Sequence, residues 1–116
     1  MTLIFLLFAL LGALKRHEQA ALARHRWGIS AIVLWEIAKL HQLGRITVAL
    51  DSPLLAQALG RIEIWPLSRE VCLNVPALDF RSDPADELIA ATSIAYRVPL
   101  MTRDARIRTS KLIRFA

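Results

Sequence analysis

A single cysteine, Cys72, stands in 116 residues, which excludes an internal disulfide framework and fits a reducing compartment, the cytoplasm. Paired Cys/His zinc spacings are missing too. His17 and Glu18 begin a helical zinc motif, but the position for its second histidine holds Ala21. Without internal repeats, low-complexity tracts or a linker, residues 1–116 read as one domain, long enough to bury a modest core. A membrane-spanning run is absent as well: the apolar stretch MTLIFLLFALLGAL at 1–14 falls short of the roughly 20 residues a spanning helix needs. It also lacks a leading basic residue and a small-residue cleavage site. A buried core element is its expected role. Membrane anchoring is the competing one, resting on hydropathy alone. Acids are missing from the start of the chain, where none occurs before Glu18.

What is present is apolar and basic. An apolar content of 55% suits a buried sheet with helices on its faces, and Cys72 reads as a small core residue. Lysine and arginine outnumber aspartate and glutamate 15 to 10, a net charge of +5 that favours polyanionic partners. The excess is concentrated late. Arg97, Arg103, Arg106, Arg108, Lys111 and Arg114 surround one acid, Asp104, as a solvated basic tail or a binding surface.

Local signals alternate strand and helix. KRHEQAALARHR at 15–26 suits a short surface helix. Residues 27–30 read as a strand, with Ser30 capping a helix through IVLWEIAKLHQL that Gly44 stops. Glu36 interrupts the otherwise apolar first two turns of that helix. A buried carboxylate needs a partner, either Lys39 at i+3 or a metal shared with other acids. Asp51 and Pro53 open a second helix ended by Gly60, IEIWPL at 62–67 is a strand ended by Pro66, and Ser68 caps SREVCLNV, which Pro76 ends. Asp83 as N-cap, Pro84 at the first helical position and Asp86 at the third then begin DELIAATSIAYR. VPLMT at 98–102 is a buried strand with Asp104 just past its carboxyl end, and LIRFA can close the sheet edge. This alternation implies an α/β fold with parallel strands, whose chemistry collects at their carboxyl ends.

Glu36, Asp86 and Asp104 can supply the oxygen ligands that divalent magnesium or manganese prefers, and a metal so held activates water against a phosphate. The segments ISAIVLWEIAKLHQLGRI and SDPADELIAATSIAYRVPLMTRDARI resemble the VapC-type toxins of the PIN-domain family. The likeness covers roughly residues 27–116 and is carried by WEIA with its downstream LGRI, the DPADELIAA helix start and the LMTRD strand end. It implies a PIN-like three-layer sandwich with a parallel central sheet flanked by helices. The implied activity is that of a magnesium- or manganese-dependent endoribonuclease cutting structured RNA in the cytoplasm. Its implied partners are a small antitoxin that neutralises it and a second copy in a homodimer. By matching position Glu36, Asp86 and Asp104 become catalytic metal ligands, and Thr102 and Arg103 flank the last acid, with Arg103 able to face substrate phosphate. Asp83 matches the motif but is explained as the N-cap. Glu87 stands where the family often has arginine, to repel Asp86 or to pair with a neighbouring arginine.

The start departs from the family, whose first strand ends in an aspartate. If LLFALLGA at 6–13 is the following core helix, that aspartate falls near Thr2, and strand and acid are both missing, as from a truncated gene or a late start. If Thr2–Phe8 is instead a degenerate first strand, only the acid is missing. The first register is preferred, and with it an N-terminally truncated fold of low solubility with unpaired strand edges. Two functions follow: the ribonuclease, inactive if the missing ligand is essential, or a catalytically dead remnant that binds antitoxin or RNA.

Overall fold

The computed structural model describes residues 2–4, 16, 26–60 and 62–116, and at 2–4, 54 and 58 the backbone alone. The elements are β1 (Thr2–Ile4), β2 (Trp27–Ser30), α1 (Ile32–Gln42), α2 (Pro53–Leu59), β3 (Glu63–Trp65), α3 (Arg69–Asn74), α4 (Pro84–Tyr96), β4 (Leu100–Met101) and a 3-10 turn at Ile107–Thr109. The strands form one sheet in the order β3-β2-β1-β4, every pair parallel.

The first strand exists, and the preferred register is corrected in that respect. Thr2 and Leu3 pair with Trp27 and Gly28, while Leu3 and Ile4 pair with Leu100 and Met101. Parallel pairing needs only backbone groups and short apolar residues, and Thr-Leu-Ile provides them. Low solubility, argued from a missing central strand, loses that ground. The helices read at 6–13 and 15–26 lie outside the described residues, apart from exposed, helical Arg16. Among the described residues no helix is long and apolar enough to cross a membrane.

Most boundaries follow the local chemistry. Gly44, at φ 72°, ends α1 and donates its N–H to the His41 carbonyl at 3.0 Å. The Ser68 hydroxyl caps α3 by accepting the Val71 N–H at 3.3 Å. Ser30 differs from expectation: it ends β2 fully buried, Ala31 takes the N-cap position, and the Ser30 hydroxyl lies 3.2 Å from that of Thr92. LIRFA contributes a bridge from Phe115 to Leu100 rather than a full strand. Cys72 is exposed, not core, because α3 turns Val71 inward. Trp35, in the apolar first turn of α1, is also exposed.

The core gathers Ile29 of β2, Val33 and Ile37 of α1, Ile89 and Ala90 of α4, Leu100 of β4 and Ile107. Burying each large aliphatic side chain contributes about 1.5–3 kcal/mol. The buried run in α4 is Ile89, Ala90, Ala91, Thr92 and Ser93. The small residues after Ile89 let α4 pack against α1, α3 and β2 together. At its far end Tyr96 lies against Trp65, ring centroids 4.6 Å apart, and its hydroxyl donates to the Pro66 carbonyl at 3.1 Å.

Gly28 fits β2 because β3 passes too close for any side chain: a Cβ there would meet the Glu63 carbonyl oxygen at 2.6 Å and Trp65 Nε1 at 2.9 Å. Gly28→Ala is expected to destabilise the fold by about 2 kcal/mol or more, since backbone must move to admit the methyl. Thermal unfolding followed by circular dichroism checks this, with a melting temperature several degrees below the parent.

Candidate metal centre

The carboxyl ends of β2 and β4 lead directly into the segments that carry the acids. From β2 the chain turns at Ala31 into α1, whose second turn presents Glu36. From β4 it passes through Thr102 to Asp104, and the amino end of α4 brings Asp83 and Asp86 to the same region.

Glu36 is half-buried, and its carboxyl is pushed from the ordinary 4.5 up to about 7, first by burial, then by the charges of Asp86 and Asp83. Lys39 does not answer it: that ammonium donates to Gln42 Oε1 at 2.9 Å. Asp86 is raised as well, chiefly by burial and further by Asp104 and Asp83, while a hydrogen bond from the Ser82 hydroxyl to Oδ2 at 3.2 Å and the charge of Arg106 oppose the rise. Asp86 is thus the shared member, within the field of both Glu36 and Asp104.

Asp104 holds the start of the 3-10 turn. Its Oδ1 accepts the N–H groups of Arg106 at 2.9 Å and Ile107 at 3.0 Å, which leaves Oδ2 outside the turn. Its own N–H donates to Thr102 Oγ1 at 3.1 Å. Thr102 is buried, and its carbonyl accepts from Arg108 at 3.2 Å, so both its polar groups serve the turn. Arg103 is half-buried and already engaged.

One member, Ser82, escapes the sequence reading, and Asp83 reads there only as a cap. Asp83 occupies the N-cap by backbone, yet its side chain makes no cap bond; its charge instead adds to the acidic field. Ser82 tethers Asp86. The motif placed Asp83 correctly, but which way its carboxylate turned was not legible. Glu87 accepts the Ser82 N–H at 3.2 Å and so braces the helix start. Asp79, also unremarked, accepts the Ser110 hydroxyl at 2.6 Å and the Lys111 N–H at 2.7 Å, tying down the tail behind the site.

The donor set is all oxygen and mutually repelling, which suits a hard divalent cation. It is not a finished cage: among the described residues no three His, Cys, Asp or Glu side chains are grouped closely enough to hold a metal ion. Like charges without a cation between them stay apart. The set therefore matches a divalent cation in its donor chemistry, while its carboxylates stand further apart than a closed metal site needs.

A parallel sheet flanked by helices, with acids gathered at one edge, defines a three-layer α/β domain. The family model for the PIN domain matches residues 6–111, and the chain belongs to that family. It is 32% identical over 87 residues to ribonuclease VapC22 of Mycobacterium tuberculosis, an alignment spanning 72% of this chain and 66% of that relative, just under two thirds of its length. Two solved structures share the fold. One is a toxin–antitoxin complex from Klebsiella pneumoniae, with TM-score 0.67, 20% identity, and coverage of 91% of this chain and 88% of that one. The other is VapBC2 from Rickettsia felis bound to a promoter DNA fragment, with TM-score 0.69, 19% identity, and coverage of 100% and 98%.

A carboxyl whose folded pKa lies above its unfolded one favours the folded state most at low pH. Metal-free protein should therefore lose stability as pH rises from about 4.5 to about 7, the window set by Glu36, with Asp86 acting in the same direction. Glu36→Gln should match the parent at pH 4 and exceed it at pH 8 by roughly 1 kcal/mol after solvent screening. Urea melts at the two pH values in chelator check this, and a variant weaker at pH 8 would contradict it.

Proposed function

We propose that this chain is a VapC-type ribonuclease, a toxin that hydrolyses RNA phosphodiester bonds with Glu36, Asp86 and Asp104 holding a magnesium or manganese ion. The observation that carries the reading is the half-buried Glu36 carboxyl, raised first by burial and then by its acidic neighbours, and left by Lys39. Burying like charges is costly, and a divalent cation is the ligand that turns that cost into affinity. The likeness to a ribonuclease and to toxin–antitoxin complexes supports the same reading.

A bound ion would supply an activated water and neutralise charge growing on the phosphate. The chain's own residues do the positioning. Asp86, tethered by Ser82, shares its field with both other acids, and Asp104 keeps one oxygen outside the turn it caps. In this reading the protein works in the cytoplasm, is neutralised by a small antitoxin, and forms a homodimer.

A second reading has its own observation. β1 is central in the sheet, yet Thr2, Leu3 and Ile4 bring no carboxylate to the edge where the acids gather. If the metal needs a ligand there, the domain is a catalytically dead remnant that binds antitoxin or RNA.

The test is cleavage of a structured RNA by the chain with magnesium, with excess chelator, and as Glu36→Gln, Asp86→Asn and Asp104→Asn. The nuclease reading expects chelator to abolish cleavage and each substitution to slow it by about two orders of magnitude or more. A folded chain that binds RNA without cutting it supports the remnant, and cleavage surviving in the Asp104→Asn form would overturn the site.

A further inference from the structure

An edge built of carboxylates repels the polyanion it is to act on, so a phosphate approaching Asp86 and Asp104 needs a cation held beside them. The basic side chains of the last segment do not serve equally. Arg108 donates to the Thr102 carbonyl and lies 5.1 Å from the Phe115 ring centroid. Arg114 donates to the Arg97 carbonyl at 3.3 Å. Arg106 differs. Its backbone N–H is pinned to Asp104 Oδ1 at 2.9 Å, while its exposed guanidinium donates no hydrogen bond among the described residues. The side chain therefore starts two residues from Asp104 with its donors unspent.

We propose that Arg106 binds a phosphate of the RNA backbone at the acidic edge, setting the substrate against the carboxylates. This rests on the ribonuclease reading and adds the residue that takes the substrate's charge. The guanidinium fork matches two phosphate oxygens at once, which an ammonium cannot do. The Asp104 turn fixes where that fork begins, so one carboxylate both faces the reaction and anchors the residue that brings the phosphate to it.

The experiment measures binding of a fluorescein-labelled 12-nucleotide single-stranded RNA by anisotropy, in chelator so that no cleavage occurs, over a range of salt concentrations. The proteins are the parent, Arg106→Gln, Arg106→Lys, and, as a control, Arg69→Gln at the start of α3, next to Ser68, which bonds Tyr96 at the far end of α4. Loss of one phosphate contact should lower affinity about tenfold and make the plot of log affinity against log salt shallower by about 0.7 in Arg106→Gln. Arg106→Lys should keep most of the slope and Arg69→Gln all of it, and unchanged melting temperatures confirm that the fold is not at issue. With magnesium, Arg106→Gln should raise KM more than it lowers kcat. Equal slopes for parent and Arg106→Gln, in a parent that binds and cuts RNA, overturn this inference alone. A parent that neither binds nor cuts RNA overturns it together with the ribonuclease reading.

Discussion

Holding two half-buried carboxyls within each other's field is costly, and much of the described structure can be understood from how they are held. Glu36 comes from α1 and Asp86 from α4, helices far apart in sequence and packed on each other. Each carboxyl alone would be better solvated at the surface. Keeping them together takes a rigid pair of helices, and each is fixed by a strand end.

That rigidity has identifiable sources. α4 packs closely because Ala90, Ala91, Thr92 and Ser93 are small and buried. The polar groups this encloses are answered internally: Thr92 donates to the Leu88 carbonyl at 2.7 Å, and Ser93 to the Val98 carbonyl at 2.6 Å. Ser30, at the end of β2, meets Thr92 and so ties the strand before α1 to the body of α4. At the other strand end, Asp104 closes its turn and Asp79 secures the tail behind it. The acids are thus a small charged edge on an apolar frame.

Much of this was legible in the sequence because the signals were local. Proline after an N-cap aspartate marked the start of α4, Gly44 the end of α1, and the order of Glu36, Asp86 and Asp104 along alternating elements brought them to one sheet edge. Features that depend on partners distant in sequence were not legible. Ser30 carries the residue type of a cap, but only its packing against Thr92 makes it the buried end of a strand. Asp83 and Lys39 had obvious local roles, and both side chains turned elsewhere. β1 was hardest, since three residues of Thr-Leu-Ile become a central strand only through pairing with residues more than twenty and nearly a hundred positions away.

The titration of Glu36 by nuclear magnetic resonance tests the proposed cation-binding role of the acidic edge most directly. In metal-free protein its carboxyl carbon should titrate with a midpoint near 7, and saturating magnesium should carry that midpoint down by at least one unit, because a cation favours the ionised form. A midpoint near the ordinary 4.5, or one near 7 that magnesium leaves unmoved, would contradict the account.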